Sequence, residues 1–327
     1  MSSPRTALTG EPKPGVSVEA GLALPTARAI CAVIVTYHPD PELFSRIEKV
    51  IPQVGQTIIV NNGSSASCVD QLKEIAGKLG VHLILNSSNQ GLARAINQGA
   101  QWAASQDYRW ILMLDQDTTV ASDMVETLTE VVRREPDVHR LAVVGSNFKD
   151  KVTGRLDTHV AQPDDSTGLE TVTAITSGSL VSLTAFRAIG GLRDDFFIDC
   201  VDHEYCLRAR AHGYRVMITS RPVMEHPIGN FTYHRWLGRT VRTTNHPPAR
   251  QYFMSRNLVI LAREYTRKEP RFIYQYSLGW IRCVAKLCLF EDDRLAKIKS
   301  IIHGCLDGLL RRTNCNSPMD RGPASQP

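Results

Sequence analysis

Four side chains in this sequence are of types that could do chemistry: Asp115, Asp117, Asp202 and His226. Asp115 and Asp117 flank Gln116 directly after the apolar run WILML at 110–114. In an extended segment alternate side chains share a face, so both carboxylates would point to one side of a strand end. Two hard oxygen ligands on a rigid strand end suit Mg2+ or Mn2+ and leave positions open for substrate phosphates. A D-x-D pair in a solvated turn would look the same locally. The buried run before it favours the ligand edge of a sheet.

Asp199, Asp202 and Glu204 cluster in FFIDCVDHEYCLRARAHG. A helix starting near Asp202 puts that carboxylate at the positive helix end, where it stays ionised as a general base must. The same acids could instead cap the helix and pair with Arg208 and Arg210. His226, in VMEHPIG just past a strand, offers either a neutral imidazole as a third metal ligand or a structural histidine. His203, His234 and His246 receive no role.

The elements that must position these groups are legible in the pattern. Residues 29–37 (AICAVIVTY) form a buried strand broken by His38-Pro39-Asp40-Pro41. A short helix is expected over 42–50, a strand at 57–60 ending in the turn Asn61-Asn62-Gly63-Ser64-Ser65, a helix at 69–79 and a strand at 81–85. Residues 92–104 repeat apolar side chains on one helical face, 110–114 are a strand, and 141–146 are another. Ser122 is placed to cap the intervening helix, with Asp123 at its positive end. Strands alternating with helices argue for an α/β protein with a mostly parallel sheet flanked by helices. Ligands of such sheets sit at the carboxyl ends of the strands.

After Asp150 the alternation weakens, with loop and short strands over 151–175, a helix over 184–189 and a strand over 215–218. Beyond Arg250 the pattern is helical and basic to about 310. The domain reading is a mobile tail at 1–28, a catalytic domain at 29–250, a helical C-terminal extension at 251–312 and a second mobile tail at 313–327.

Charge divides unevenly along the chain. Residues 29–234 hold 18 Lys and Arg against 24 Asp and Glu; residues 235–312 hold 16 against 6. The last third therefore faces something anionic, while the first part houses a carboxylate-rich site. Eight cysteines show no CxxC pair and no zinc spacing, which suits buried reduced thiols in the cytoplasm. No signal-peptide core and no spanning apolar run is visible. No P-loop, G-x-S-x-G or dinucleotide fingerprint occurs, and the basic residues lack the setting of a nucleic-acid module.

Residues 272–290 (FIYQYSLGWIRCVAKLCLF) place Gln275, Gly279, Arg282 and Lys286 on a narrow polar stripe, which Asp293, Lys297 and Ser300 would extend as one helix. With Trp280 and Tyr276, this suits an in-plane helix on an anionic inner-membrane face, although packing on the catalytic domain or a second subunit would need a similar apolar face.

Six segments together (CAVIVTYHPD, IIVNNGSS, SNQGLARAINQG, LMLDQD, SGSLVSLTAFRAIGGLRDDFFIDCVDHEYCLRARAHGY and VMEHPIG) resemble the inverting family 2 glycosyltransferases of the GT-A fold. HPIG and RQYFMSRN narrow the resemblance to bacterial rhamnosyltransferases. It implies a dTDP-L-rhamnose donor and a glycolipid acceptor such as a mono-rhamnolipid, with lipopolysaccharide, O-antigen or polyprenyl-linked sugars as the alternative. It implies Asp202 as the base, and Asp115 and Asp117 at ribose and metal–diphosphate with His226 nearby. It also implies Thr36, Tyr37, Asn61 and Asn97 at nucleotide-binding positions, with Gly91 packed closely there. Tyr252, Arg256 and Asn257 match a terminal RN motif in which Arg256 would meet the diphosphate. Asn61 departs from the usual Asp, so a base N–H would be met by a neutral amide oxygen. The rival classes are a silent nucleotide-sugar binding protein and a nucleotidyltransferase; the latter lacks its glycine- and arginine-rich loop after Tyr37.

Overall fold

The computed structural model describes residues 25–151, 154, 156, 168–227 and 231–312. Most of the two expected tails lies outside them. The element order is β1 (Ile30–Thr36), α1 (Leu43–Val50), β2 (Gln56–Asn62), α2 (Ala66–Leu79), β3 (His82–Asn86), α3 (Leu92–Ser105), β4 (Trp110–Asp115), β5 (Thr119–Val120), α4 (Met124–Arg134), β6 (Leu141–Asp150), β7 (Gly168–Glu170), β8 (Ser179–Ser182), α5 (Leu183–Ile189), α6 (Val201–Ala211), β9 (Arg215–His226), β10 (Thr232–Trp236), β11 (Arg239–Thr243), α7 (Pro248–Tyr265), α8 (Pro270–Phe290) and α9 (Arg294–Leu309).

The main sheet runs β3-β2-β1-β4-β8-β6-β9-β5, with β7 also on β9. Its first four strands are parallel, as the helical crossovers between them require. From β8 the sheet is mixed, because β8 runs antiparallel to both β4 and β6. Every residue of β1 is buried, and its two faces feed two different cores. Cys31, Val33 and Val35 pack with α3, α5 and α6, while Ile30, Ala32 and Ile34 pack with α1, α2 and α4. A continuous apolar run rather than an alternating one is what a strand covered on both faces needs.

Four expectations are corrected. Ser122 does not cap α4; Asp123 is the cap residue, without a side-chain capping bond, and its carboxylate pairs with Arg221 at 2.7 Å. The strand from Arg215 runs on to His226 instead of stopping near 218. The hairpin β10–β11 was not expected at all. The helix expected across 272–310 is two helices, broken at Asp293 with φ 54. Lys297 therefore leaves the polar stripe and forms a buried ion pair with Glu291 at 3.0 Å. α7 adds Ile260, Leu261 and Tyr265 to the sheet's own core. The described cysteines are unpaired, but Cys283 on α8 is exposed, not buried.

Candidate active site

Strand β4 delivers Asp115 at its carboxyl end, and the main chain then turns through Gln116 and Asp117. The turn is pinned by Ser177, from the segment before β8. Asp115 N–H donates to Ser177 Oγ at 3.0 Å, and Ser177 Oγ lies 2.6 Å from Thr118 Oγ1. Gln116 laces this turn to the end of β1, accepting from Tyr37 N–H at 2.8 Å and donating to the Tyr37 carbonyl at 3.1 Å.

His226 arrives from more than a hundred residues away through strand pairing. β5 and β9 pair with Thr119 opposite Glu225, which sets His226 beside the turn. Its Nδ1 is 2.9 Å from Thr118 Oγ1 and 3.6 Å from Asp117 Oδ1, and its Nε2 is 3.9 Å from Asp115 Oδ2. Ligand atoms of Asp115, Asp117 and His226 lie within 4.8 Å of one another, and the three side chains form a candidate metal site. Asp117 Oδ1 is buried without a hydrogen-bond partner, the state expected of an oxygen whose natural partner is a cation. Burial pushes the Asp115 carboxyl up to about 6, with His226 pulling down and the Asp117 and Asp202 charges pushing further up. A divalent cation would hold that carboxylate ionised.

The three acids of 199–204 separate cleanly. Glu204 is 1% exposed and is satisfied by Arg208 Nε at 3.0 Å and the Tyr265 hydroxyl at 3.0 Å. Asp199 is clamped by Arg250, whose Nε and Nη2 donate at 3.0 and 2.9 Å. Asp202, in the first turn of α6, accepts only backbone N–H groups, from Thr176 at 3.2 Å and His203 at 2.8 Å. It keeps a half-buried carboxylate without an arginine or lysine on it.

Arg250 is the residue that sequence reasoning missed. Burial opposes its charge, but Asp199 outweighs this and raises its pKa, and Asp115 and Tyr276 add to the rise. Arg256, the arginine expected at the diphosphate, is fully buried instead and donates to the Asp195 carbonyl. The two arginines sit six residues apart on one helix, and only the packing of α7 tells them apart.

The nucleotide positions divide in the same way. Tyr37 is exposed, whereas Thr36 and Asn61 face each other in register on β1 and β2 and are completely buried. Thr36 Oγ1 and Asn61 Nδ2 both lack partners. Asn61 Oδ1 accepts from Ser64 N–H at 3.3 Å, so the group left without a partner is the amide donor and not the oxygen. Gly91, with φ +85, leaves room for Phe197; a Cβ there would stand 2.7 Å from its ring. Asn97 is not presented to a ligand: it accepts from Leu192 N–H at 2.9 Å and donates to the Leu192 carbonyl and to Asp194 Oδ1, both at 2.7 Å.

Residues 31–190 match the model of glycosyl transferase family 2. The chain carries a family 2 glycosyltransferase domain. The glycosyltransferase is 28% identical over 247 residues to dTDP-rhamnosyl transferase RfbF of Shigella flexneri, covering 72% of this chain and 80% of that one. The mannosyltransferase PcManGT of Pyrobaculum calidifontis, solved with GDP-Man and Mn2+, superposes with TM-score 0.53 at 14% identity over 87% of this chain and 88% of that chain. S. aureus TarS 1-349, solved with UDP-GlcNAc, gives 0.51 at 12% identity over 87% and 82%. The GT-A fold expected from the sequence is the fold observed.

Proposed function

We propose that this glycosyltransferase moves L-rhamnose from dTDP-L-rhamnose to a hydroxyl of a glycolipid acceptor, with inversion at the anomeric carbon. The observation that carries the reading is the grouping of Asp115, Asp117 and His226 on the strand edge, with Asp202 close enough for its charge to act on Asp115. The 28% identity to a dTDP-rhamnosyl transferase supports the donor.

Asp202 takes the proton of the acceptor hydroxyl as its oxygen bonds to the anomeric carbon. The bond from that carbon to the diphosphate oxygen breaks, and its electron pair leaves with the diphosphate. Asp115, Asp117 and His226 would hold Mg2+ or Mn2+, which supplies positive charge to the departing diphosphate. Arg250 takes the second cationic role there, in place of Arg256, since its charge interacts with that of Asp115 and its side chain is 39% exposed. The mechanism needs no covalent intermediate.

Rhamnose lacks a 6-hydroxyl, so a donor site built for it sets an apolar wall where other hexoses need a hydrogen bond. Purified protein with Mg2+ and a panel of nucleotide sugars is expected to consume dTDP-L-rhamnose preferentially. A clear preference for UDP-glucose overturns the donor and leaves the fold untouched. Mono-rhamnolipid and polyprenyl-linked or lipopolysaccharide sugars, offered side by side, separate the acceptor classes.

A glycolipid acceptor would be met at a bilayer surface. No helix among the described residues is long and apolar enough to cross a membrane. Helix α8 exposes Tyr274, Ile281 and Leu289 alongside Arg271, Arg282 and Lys286. The β10–β11 hairpin adds Leu237, 80% exposed, and Trp236, whose ring stands edge-on to Phe290 of α8 at 6.0 Å. Apolar side chains interspersed with exposed cations suit an anionic interface. Yet α8 also sets Phe272 and Tyr276 against His203, next to Asp202. The acceptor side of the site and the membrane-facing helix are therefore continuous. In flotation assays the full chain is expected to bind anionic vesicles at low salt and to release at high salt. The triple variant Tyr274→Ser, Ile281→Ser, Leu289→Ser should stay unbound. A full chain that never floats overturns the membrane contact.

A further inference from the structure

Arg256 and Asn257 are both fully buried. The side-chain amide of Asn257 donates to the carbonyls of Phe196, Ile198 and Asp199, each at 2.9 Å, so its two hydrogens are shared among three acceptors. The Arg256 guanidinium donates to the Asp195 carbonyl, and its Nε donates to Asn257 Oδ1 at 3.1 Å. That guanidinium also lies over the Phe253 ring, 5.0 Å from its centre. Gly304 of α9 lets that helix press against the Tyr252 carbonyl and the Arg256 N–H from behind.

The turn they grip is unusual. Phe197, Asp199 and Cys200 have φ of 61, 63 and 59, three non-glycine residues in the left-handed region. L-residues with a side chain rarely stay there unless their surroundings over-determine them. On one side the turn meets the donor loop: the Phe197 carbonyl accepts from Leu92 N–H at 2.6 Å, and Phe197 fills the space beside Gly91. On the other side Cys200 is the cap residue of α6, two positions before Asp202. The turn is thus a joint between the donor side and the helix bearing the base.

We propose that Arg256 and Asn257 are positioning residues that hold the 195–200 turn in its left-handed conformation and so set where Asp202 stands relative to the donor. The inference rests on the assignment of Asp202 as the base. It also gives the terminal RN motif a physical task other than binding diphosphate.

Asn257→Ala frees three carbonyls and lets the turn relax. Turnover should fall by about tenfold to a hundredfold, because small displacements of a catalytic group cost that much. Nucleoside diphosphate affinity, measured by calorimetry, should fall by a clearly smaller factor than turnover, since Asp115, Asp117 and His226 are untouched and Arg250 is disturbed only through Asp199. Cys200→Gly in that background should recover a large part of kcat, because glycine adopts the left-handed conformation without a side-chain penalty. A residue that only stabilised the fold would lower the melting temperature, leave kcat per folded molecule unchanged and show no rescue; that outcome overturns the proposal. If Asn257→Ala does not fold, Arg256→Lys is the second variant. It keeps the charge over Phe253, loses the reach to the Asp195 carbonyl and should lower kcat with diphosphate binding kept; unchanged kcat there likewise overturns it. Asp202→Asn is run alongside. Normal turnover in that variant overturns the base assignment and the positioning role with it, whereas low turnover there with unchanged kcat in Asn257→Ala removes the positioning role alone.

Discussion

Excess EDTA is expected to abolish sugar transfer by this glycosyltransferase, and Mg2+ or Mn2+ to restore it. Asp117→Asn should do the same permanently, at a loss of about a thousandfold or more, because a metal's stabilisation of developing charge is worth several kcal/mol. The expectation rests on the donor set. Two carboxylates and one imidazole have ligand atoms within 4.8 Å of one another, and Asp117 Oδ1 is buried with no other partner. Folding should survive, since Asp117 sits in a turn held by Ser177, Thr118 and Gln116 and not by its own carboxylate. The orienting hydroxyl can be tested separately. Thr118→Val removes the contact at 2.9 Å to His226 Nδ1 and should weaken metal affinity by about tenfold to a hundredfold, as loss of an orienting partner usually does. Metal titration followed by direct binding and by turnover checks both variants. Full activity in excess chelator would sink the metal assignment.

Asp202→Asn is expected to lower kcat by about a hundredfold or more while nucleotide-sugar affinity stays within about threefold. The substitution is nearly isosteric: the bonds from Thr176 N–H and His203 N–H end on different carboxylate oxygens, so one keeps an oxygen acceptor while the other is lost along with the proton-accepting charge. The neighbouring acids serve as internal controls. Glu204→Gln should lower stability, since it disturbs a buried ion pair with Arg208 and the bond from Tyr265, without selectively removing the proton transfer. Asp199→Asn should act through Arg250 and so be read in donor affinity. A normal kcat in Asp202→Asn, or a collapse of donor affinity without loss of turnover, would move the base role to one of these two.

Several features were determined by the sequence alone, for a local reason. The parallel half of the sheet was legible because a strand buried on both faces leaves an uninterrupted apolar run, as at β1 and β4, and proline or asparagine–glycine turns mark where it stops. Asp115 and Asp117 were legible because the buried run before them favours the ligand edge of a sheet over the solvated turn that would carry the same pair. Asp202 and His226 could be named, but their competitors could not be dismissed, since helix capping and structural histidines leave the same local trace.

Tertiary structure decided the rest. His226 joins the two aspartates only because β5 pairs with the far end of β9, a register no local pattern encodes. Asp202 is distinguished from Asp199 and Glu204 by which arginine reaches each carboxylate, a matter of helix packing and not of spacing. The same holds for Arg250 and Arg256. Both lie on α7 in one short motif, but α7 packs against α9 and the 195–200 turn, so one guanidinium is buried on the Asp195 carbonyl while the other pairs with Asp199 and interacts with the Asp115 charge. A sequence states which side chains a helix carries. Only the packing of that helix states which of them is sealed in the core and which stays at the site.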